Sequence, residues 1–425
     1  MRIAVWGTGQ TGVETAREMI RQGHEVRLVD EQTPGSCGDI PAKLLEKDDV
    51  EWADLVIPSP GIPRHHPMLL EAKKVLSEIE VAASLLTGTL IAITGSNGKT
   101  TTTTLIHEIL EKAGLDAGIG GNISPPMISL VERNPRYVVA EISSFQLEWI
   151  ERFRPHIGIC LNVTPDHLDR YRSMEEYVTY KRILFKNQNE SDFALVNDTD
   201  PYLKDLEGSA KRVGFSFARP GTPDGAFIEG SRVYFQGSIE GEGPRLPEGS
   251  HISNGLKEDM LASALTARLL GVDAHIAEEV FASFKGIRHR FEFVATVEGI
   301  TFIDDSKATN VGALDTALSG MNGPVILILG GKDKGGEFSC IVERHKSKIR
   351  KVFVIGEATA RIMGEISGIV DSQKAEDMQQ AVSSAFESAR QGDVVLLSPG
   401  CASFDMFKSY AHRGEVFKEC VHAIK

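Results

Sequence analysis

A glycine-rich segment that could bind phosphate follows an apolar run of the sequence. Residues 90–93 read Leu-Ile-Ala-Ile, and residues 95–101 read Gly-Ser-Asn-Gly-Lys-Thr-Thr. A buried strand that turns through glycines into a helix presents backbone N–H groups and the positive end of the helix dipole to phosphate oxygens. Lys99 can then reach the terminal phosphates, and the Thr100 hydroxyl is placed to hold Mg²⁺. The residues that we expect to contact ATP here are Gly95, Ser96, Asn97, Gly98, Lys99, Thr100 and Thr101.

The spacing of this segment differs from that of the common phosphate loop. The common loop has four residues between its first glycine and Gly-Lys. That pattern would require glycine at position 93, where this chain has Ile93. The alternative interpretation is a Gly-Asn turn that precedes a lysine by chance. The strand pattern before the segment and the helix pattern after it favour nucleotide binding.

Polar residues at the ends of the next predicted strands could complete such a site. Glu141 ends the apolar run 137–140, and a carboxylate beside a phosphate loop commonly completes a Mg²⁺ site. The alternative role of Glu141 is to cap the turn at residues 143–144. His167 lies in the polar turn 162–170 after the next predicted strand. We expect that strand to lie beside the one that ends in Glu141, which would place His167 near the same phosphates. A lone histidine is more often structural, so the interest of His167 depends on this placement.

Two further basic positions carry weaker signals. Lys181 lies in a predicted helix over residues 175–185, where it resembles any surface lysine. His289 and Arg290 stand at the start of the last third of the chain. A basic pair at a domain junction can contact a ligand from two domains, although a capping role fits the sequence equally well.

The chain also opens with a dinucleotide-type glycine pattern. Residues 3–6 form a short apolar run, glycines follow at positions 7, 9 and 12, and a second predicted strand ends at Asp30. An acid at that point binds a ribose in this kind of fold, so the pattern predicts a nucleotide-diphosphate site. Whether the nucleotide is NAD stays open, because the block is short for a full dinucleotide domain. A second glycine turn at residues 59–61 follows the strand 54–57, at the same sheet edge.

Length and composition restrict the class of protein. A chain of 425 residues is too long for one core, and about three domains are expected. Its net charge is −13, with 46 basic and 59 acidic residues, which disfavours nucleic acid as a partner. The five cysteines are scattered, lack metal-ligand spacing and predict reduced thiols. We find no signal peptide and no apolar run of about 18 residues, so we expect a cytoplasmic protein without a membrane span.

Strand and helix patterns alternate in three α/β blocks. We predict a Rossmann-like N-terminal domain over residues 1–87 and a central P-loop mononucleotide-binding ATPase domain over residues 88–286. A Rossmann-like C-terminal domain follows over residues 287–425. Strands of this last block end in turns at residues 304–307, 330–334 and 398–403. These turns should share one rim, because ligands bind outside the carboxyl ends of parallel strands.

Two nucleotide-type sites and a third α/β domain indicate an enzyme that joins two substrates with ATP. The simplest chemistry is attack of a carboxylate on the γ-phosphate, after which an amine displaces phosphate from the acyl phosphate. Mg²⁺ and Lys99 would neutralise the phosphoryl charge in the transition state. Domain closure would exclude the water that hydrolyses an acyl phosphate.

Six stretches that span nearly the whole chain resemble the Mur ligase family. They are Gly-Ser-Asn-Gly-Lys-Thr-Thr at 95–101, Glu-Ile-Ser-Ser-Phe-Gln-Leu-Glu at 141–148, the turn 162–170, His-Arg-Phe-Glu at 289–292, Asp-Ser-Lys-Ala-Thr-Asn at 305–310, and Ser-Pro-Gly-Cys-Ala-Ser-Phe at 398–404. The phosphate loop and the Asp-His turn are similar across the family. The stretches at 143–148, 305–310 and 401–404 resemble the D-glutamate-adding member in particular.

The resemblance implies an ATP-dependent ligase of peptidoglycan precursor synthesis that adds D-glutamate to UDP-N-acetylmuramoyl-L-alanine. It implies that Lys181 becomes a carbamate and that two Mg²⁺ ions are held by Thr100, Glu141, His167 and Lys181. It places Asn122, His289, Arg290 and Asp305 near ATP or the reacting centre. The D-glutamate contacts it implies are Lys307, Thr309, Lys334, Ser403, Phe404 and Tyr410. The UDP-substrate contacts would be Gly9, Gln10, Thr11, Asp30, Ser59, Gly61 and Asn122, and we expect a monomer.

The chain departs from the family pattern at three places. Ser96 replaces the usual threonine of the phosphate loop. Leu256, Lys257 and Met260 occupy the places of a His-Asn…Asn pattern that reaches adenine, and residues 31–32 (Glu-Gln) replace a Thr-Arg-like pair beside the uridine. These changes leave the adenine and uracil contacts open.

Three alternatives remain beside this interpretation. Folylpolyglutamate synthase shares the phosphate-loop style, but the diphosphate-type first block and residues 143–148 argue against it. A non-catalytic nucleotide sensor predicts loss of Lys99, Glu141, His167 or Lys181, and the chain has all four. A dehydrogenase predicts binding of NADH to the first block, which a fluorescence titration would detect.

Overall fold

The computed structural model describes residues 1–32, 40–164, 170–248, 252–321, 323–332 and 336–424. Contacts between Cα atoms divide the chain into two compact units. The first unit contains residues 1–246 and 258–282, and the second contains residues 247–257 and 283–425. His167 and Lys334, two of the predicted site residues, lie outside the described residues.

A four-stranded parallel sheet opens the first unit. Its strands are β1 (Arg2–Trp6), β2 (Glu25–Asp30), β3 (Ala42–Leu44) and β4 (Leu55–Pro58), in the order β3-β2-β1-β4. Its helices are α1 (Gln10–Arg21), α2 (Lys47–Trp52) and α3 (Pro67–Leu70), and α4 (Glu78–Leu85) follows. Ala4 and Trp6 pack in one core cluster while Ile3 and Val5 pack in another. The sheet is therefore covered on both faces, as its short apolar strands predict.

The larger sheet of the first unit has nine strands in the order β13-β12-β11-β10-β9-β8-β5-β7-β6. Neighbours from β6 to β11 are parallel, whereas β11, β12 and β13 pair antiparallel as hairpins. The strands are β5 (Thr89–Thr94), β6 (Ala117–Gly121), β7 (Tyr137–Glu141), β8 (Ile157–Cys160), β9 (Phe193–Asn197), β10 (Lys211–Phe215), β11 (Asp224–Glu229), β12 (Arg232–Gln236) and β13 (Gly241–Arg245). The helices are α5 (Lys99–Lys112), α6 (Ser144–Leu147), α7 (Met174–Arg182), α8 (Asn254–Leu269) and α9 (Ala274–Ser283), with 3₁₀ turns at Met127–Leu130, Ile183–Phe185 and Gly237–Ile239.

The second unit contains a six-stranded sheet in the order β14-β15-β19-β16-β17-β18, parallel except for the pair β14–β15. Its strands are β14 (Glu292–Val297), β15 (Ile300–Asp304), β16 (Val325–Gly330), β17 (Ile349–Ile355), β18 (Ser372–Lys374) and β19 (Val394–Leu397). Its helices are α10 (Val311–Gly320), α11 (Phe338–His345), α12 (Thr359–Ile366), α13 (Met378–Ser388) and α14 (Tyr410–His422). Leu327 and Leu329 face one core cluster and Ile326 and Ile328 face the other, which is the pattern of a doubly wound sheet.

The predicted α/β fold class is confirmed by these parallel-dominated sheets. The hairpins expected near residues 212–247 are present as β11, β12 and β13. No helix among the residues that the structure describes is long and apolar enough to cross a membrane. The boundaries at residues 87 and 286 stay predictions.

Two carboxylates of α4 hold this helix against later segments of the first unit. Glu80 accepts hydrogen bonds from the backbone N–H groups of Glu151, Arg152 and Phe153 at 2.8–2.9 Å. Glu78 accepts one from Ile128 N–H at 2.5 Å. The other oxygen of Glu78 is buried without a hydrogen-bond partner among the described residues. Burial raises the pKa of Glu78 to about 7, and the Ile128 hydrogen bond only partly opposes this effect.

Replacement of Glu78 by Gln should make the stability of the first unit less dependent on pH. The unfolded carboxyl ionises near pH 4.5 but the folded one near 7, so the wild-type free energy of unfolding falls between these values. Relative to wild type, the Glu78→Gln variant should gain roughly 3 kcal/mol across that window. Urea unfolding followed by tryptophan fluorescence measures this unit, because Trp6, Trp52 and Trp149 all lie in it. A difference between the two proteins that stays constant from pH 4.5 to 8 would contradict the assignment.

Candidate active site

The phosphate-loop segment connects β5 to α5 at the carboxyl edge of the nine-stranded sheet. Gly95 has φ +150° and Gly98, which precedes the first turn of α5, has φ +82°; both values favour glycine. Asn162 holds the segment from the end of β8. Its side-chain oxygen accepts from Asn97 N–H at 2.9 Å, and its backbone carbonyl accepts from Ser96 N–H at 2.9 Å. The loop is thus fixed by the neighbouring strand end.

Two lysines converge on the first carbonyl of this loop. Lys99 Nζ donates to the carbonyls of Gly95 at 2.8 Å and Ser96 at 2.9 Å. Lys181, from α7, is buried and donates to the same Gly95 carbonyl at 2.7 Å. The structure therefore brings the two predicted lysines together, although they are far apart in sequence. Both Nζ atoms lie at the phosphate loop, and their contact with phosphate oxygens stays a prediction.

Tyr177 is a contact of the loop that the sequence did not indicate. Its hydroxyl lies 3.1 Å from Ser96 Oγ, and its ring lies 4.6 Å from the ammonium nitrogen of Lys181. Ser96 Oγ also donates to the Thr164 carbonyl at 3.0 Å. Tyr177 precedes Lys181 by one helical turn, and this spacing on α7 is the only signal that could have suggested it.

Glu141 ends β7 beside the phosphate loop. In the sheet register it lies opposite Ile93 of β5 and Gly121 of β6. Asn122 donates from its side-chain amide to Glu141 Oε1 at 2.8 Å, so these two predicted residues are in contact. Glu141 Oε2 is buried and has no hydrogen-bond partner among the described residues.

A buried carboxylate oxygen without a hydrogen-bond partner fits a bound cation. Mg²⁺ takes a few carboxylate and hydroxyl oxygens together with phosphate and water oxygens. Glu141 Oε2 is such an oxygen, and Thr100 stands half-buried at the start of α5. The donor set that the structure describes is therefore compatible with Mg²⁺.

Asp259 lies directly behind the loop and was not singled out from the sequence. A Cβ atom added to Gly98 would stand 2.1 Å from Asp259 Oδ1, so the carboxyl group packs against the glycine. Thr102 of α5 donates to the same oxygen at 3.2 Å. Burial raises the pKa of Asp259 well above its ordinary value, which outweighs that hydrogen bond. The carboxyl group of Asp259 is therefore easier to protonate than that of an exposed aspartate.

The predicted UDP-substrate residues gather at the carboxyl ends of β1 and β4. Gly9 precedes α1, whose first residues are Gln10 and Thr11. Ser59 follows β4. A Cβ atom added to Gly7 would stand 1.9 Å from Ser59 Oγ, so only glycine fits at position 7. Ser124 donates to the side-chain oxygen of Gln10 at 3.1 Å, which brings the segment after Asn122 next to this edge.

Asp30 has partners within the protein. Its Oδ2 accepts from the backbone N–H of Thr8 at 2.8 Å and from the Thr8 hydroxyl at 2.9 Å, while Oδ1 accepts from Gln32 N–H. Burial tends to raise the pKa of Asp30, but the hydrogen bonds from Gln32 and Thr8 hold it below its ordinary value. Asp30 thus fixes the glycine turn, and its contact with a ribose stays a prediction.

Arg413 of α14 ties together the strand-end turns of the second unit. Its side chain is fully buried, and its guanidinium donates to Ser306 Oγ at 2.9 Å and to the carbonyls of Ser306, Cys401 and Ala402. Burial lowers the pKa of Arg413 to about 10, so it remains charged at neutral pH. The turns after β15 and β19 therefore share one rim, as the sequence predicts. Arg413 itself carried no sequence signal.

Several predicted residues lie on this rim. Ser398 donates to Asp305 Oδ2 at 2.9 Å, and burial raises the pKa of Asp305 to about 7 despite that hydrogen bond. The ammonium nitrogen of Lys307 lies 5.5 Å from the Tyr410 ring centre. The remaining described residues differ in exposure: Ser403 is buried, Thr309 is half-buried, and Arg290 and Phe404 are exposed.

His289 is held by carboxylates on both ring nitrogens. Nδ1 lies 2.7 Å from Asp304 Oδ2 and Nε2 lies 3.3 Å from Glu415 Oε1. The backbone of His289 has φ +62°, and a Cβ on Gly414 would stand 2.1 Å from Nδ1. The ring is thus fixed within the second unit, and its predicted role towards ATP stays a prediction.

The glycine loop with its lysine, between a parallel strand and a helix, defines a nucleotide-binding α/β protein of the phosphate-loop class. Two family models match the chain: the Mur ligase middle domain over residues 93–240 and the Mur ligase glutamate ligase domain over residues 289–401. Curated relatives match along the full length. The chain belongs to the Mur ligase family, and the prediction made from the sequence is confirmed.

Two of these relatives carry the name UDP-N-acetylmuramoylalanine–D-glutamate ligase. The protein of Geotalea daltonii is 38% identical over 446 residues, covering 100% of this chain and 97% of its own. The protein of Koribacter versatilis is 40% identical over 442 residues, covering 99% and 97%.

Solved structures share the fold at low sequence identity. A pseudomurein peptide ligase type C from Methanothermus fervidus matches with a TM-score of 0.61 at 18% identity, covering 100% of both chains. The UDP-N-acetylmuramate-alanine ligase of Thermotoga maritima matches with 0.60 at 18% identity and the same coverage.

Alanine substitutions at Gly98 and Gly114, which lie at opposite ends of α5, distinguish an effect on the phosphate loop from the strain that any side chain causes at positive φ. Gly98→Ala should weaken ADP binding at least about tenfold, because its Cβ meets Asp259 and the backbone φ is +82°. Gly114→Ala is the matched control, because Gly114 has φ +73° with no atom near its Cβ position. This control should lose about 1 kcal/mol of stability while keeping ADP affinity. Calorimetric titration measures the ADP affinity of both variants and of the wild type. Equal losses of affinity in the two variants would contradict the prediction.

Proposed function

We propose that the chain is an ATP-dependent amide-bond ligase that adds D-glutamate to UDP-N-acetylmuramoyl-L-alanine. The observation that carries the proposal is the convergence of Lys99, Lys181 and Glu141 at the phosphate loop of a chain that matches D-glutamate ligases over its full length. A non-catalytic sensor would have no need of the buried lysine or the buried carboxylate.

The phosphate loop supports transfer of the γ-phosphoryl group. The carboxylate of the alanyl residue attacks the γ-phosphorus, the bond to the bridging oxygen breaks, and ADP leaves. Lys99 and the N–H groups at the start of α5 stabilise the charge that develops on the phosphoryl oxygens. Mg²⁺, when bound by Glu141 and Thr100 with His167, supplies further neutralisation of that charge.

The amide bond forms in the second step. The amine nitrogen of D-glutamate attacks the acyl carbon, the bond to the phosphate oxygen breaks, and inorganic phosphate leaves. The nitrogen gives up one proton before it attacks and a second as the amide forms, to solvent or to the departing phosphate, and keeps the third as the amide N–H. We assign D-glutamate to the rim of the second unit, with Lys307, Thr309, Lys334, Ser403, Phe404 and Tyr410 as its contacts.

We further propose a carbamate on Lys181 as a ligand of a second Mg²⁺. The ammonium group first loses a proton, and the resulting amine nitrogen bonds to the carbon of CO₂ and loses a second proton. The cation thereby becomes an anion whose oxygens suit Mg²⁺. The burial of Lys181 and its position on the Gly95 carbonyl support this proposal, because the modified end would remain beside the phosphate loop.

The remaining assignments follow from the same proposal. ATP binds residues 95–101 with Asn122, His289, Arg290 and Asp305, and the UDP-substrate binds Gly9, Gln10, Thr11, Asp30, Ser59, Gly61 and Asn122. We propose domains at residues 1–87, 88–286 and 287–425, a monomeric state and a cytoplasmic location.

Phosphate release tests the proposed reaction. The protein is incubated with ATP, Mg²⁺ and UDP-N-acetylmuramoyl-L-alanine, with either D- or L-glutamate. We expect release that requires the UDP-substrate and D-glutamate, because both steps must proceed for turnover. Release that ignores glutamate or prefers the L isomer would refute the proposal. A preference for L-glutamate with a folate acceptor would point to the folylpolyglutamate alternative.

Chemical rescue tests the carbamate. Lys181→Ala should lose most activity, because no carboxylate-like group remains, and added formate or acetate should restore part of it. Lys186→Ala, which removes an exposed lysine a few residues later, is the matched control and should keep full activity without a response to these anions. The carbamate is wrong if the Lys181 variant remains active, or if it loses activity that neither anion restores.

A further inference from the structure

Arg170 connects the glycine turn after β4 with the segment after β7. Its guanidinium donates to the carbonyls of Gly61 at 3.1 Å and Ile62 at 3.0 Å. The same guanidinium forms a two-pronged ion pair with Glu148, at 3.1 and 2.8 Å. It also lies 4.3 Å from the centre of the Phe145 ring. One side chain thus holds parts of two sheets that are distant in the sequence.

The ion pair between Arg170 and Glu148 is largely buried. The Glu148 side chain is 2% exposed and that of Arg170 is 12% exposed. The Tyr171 hydroxyl donates to Glu148 Oε1 at 3.0 Å, which adds a third donor to this carboxylate. Burial raises the pKa of Tyr171, so the hydroxyl keeps its proton. Charge-assisted, two-pronged bonds of this type fix direction as well as distance.

The contacts continue from Arg170 to the glycine turn of the first sheet. Ile62 N–H donates to the Ser59 carbonyl at 3.0 Å, and Ser59 N–H donates to the Trp6 carbonyl at 2.7 Å. Ser59 Oγ packs against Gly7. Because a peptide group is planar, holding the Gly61 carbonyl also sets the orientation of the Ile62 N–H, which donates to the Ser59 carbonyl. The Ile62 carbonyl precedes Pro63, so holding it fixes the direction in which the chain leaves the turn.

We propose that Arg170, held by Glu148, is a positioning residue for the binding of the UDP-substrate, because it sets the geometry of residues 59–62. The inference rests on the proposed function, which assigns Ser59 and Gly61 to this substrate. It gives a role to Phe145 and Glu148, which lie in the stretch 143–148 that resembles the D-glutamate-adding member of the family and that the reaction steps leave unused. Arg170 acts through the backbone of the turn.

Binding titrations of the full chain test this role. Arg170→Met should weaken UDP-N-acetylmuramoyl-L-alanine at least about tenfold, in Kd and in KM, while ADP affinity stays within about twofold. Arg170→Lys should recover part of the loss, because an ammonium group can donate to a carbonyl but cannot reproduce the planar, two-pronged geometry of the guanidinium. Arg154→Met is the matched control. Arg154 forms a similar ion pair with buried Asp192, through Nε at 2.7 Å and a second nitrogen at 3.2 Å. This pair lies in the segments that precede β8 and β9. This variant should keep the affinity for both ligands.

A double variant separates positioning from stability. Arg170→Met leaves the Glu148 carboxylate buried without its cation, which destabilises the fold. Replacing both residues by Met removes that charge and should restore the urea midpoint, while the affinity for the UDP-substrate stays low because the two carbonyls still lack their donor. Recovery of wild-type affinity in the double variant, or an equal loss of ADP affinity in Arg170→Met, would overturn the inference. If wild type itself fails to bind the UDP-substrate, the proposed function fails instead.

Discussion

All candidate sites of this chain depend on one constraint of parallel sheets. Strands that run in the same direction end at the same edge, so the turns that follow them are neighbours in space. Glu141 reaches the phosphate loop because β7 lies beside β5, and Asn162 reaches it because β8 lies on the other side. In the second unit, β15 and β16 both pair with β19, so the turns after them meet. The order of the strands therefore brings together site residues that lie far apart in the sequence.

Local patterns of sequence were sufficient for the parts that local structure determines. The phosphate loop was predictable because an apolar strand, glycines with positive φ and a lysine at the start of a helix occupy consecutive positions. Glu141 was predictable because it directly ends a buried run. The α/β alternation was predictable for the same reason, since central strands such as β1, β5 and β16 are short, apolar and buried.

The other site residues depend on contacts between distant segments. Lys181 has the spacing of an ordinary helix residue, and only resemblance to a family distinguished it. Asp259 and Arg413 had no signal, and Tyr177 had only its spacing from Lys181, because each contacts a partner in a distant segment. The identity of such partners follows from packing, which one sequence does not encode in any short pattern.

Charge is distributed unevenly in this acidic protein. The net charge is −13, yet two ammonium groups converge on the Gly95 carbonyl. Burial raises the pKa of Asp259 well above its ordinary value, and raises those of Glu78 and Asp305 to about 7. A raised pKa means that such a carboxyl group carries less negative charge at a given pH than an exposed one. An acidic chain can therefore bind anionic ligands at the phosphate loop, because Lys99 and the N–H groups at the start of α5 are positive there whether or not Lys181 carries the proposed carbamate.

The buried guanidinium of Arg413 restricts how the second unit can vary among related proteins. A planar guanidinium with fixed N–H directions can donate to several carbonyls only when they lie at matching separations. An insertion in the turn after β15 would move the Ser306 carbonyl, and one in the turn after β19 would move those of Cys401 and Ala402. A change in the length of either turn would therefore cost the contacts that Arg413 makes with both, whereas loops at the amino edge of the same sheet make no contact with this guanidinium among the hydrogen bonds described. Differences in loop length within the family should accordingly accumulate on the edge away from the rim.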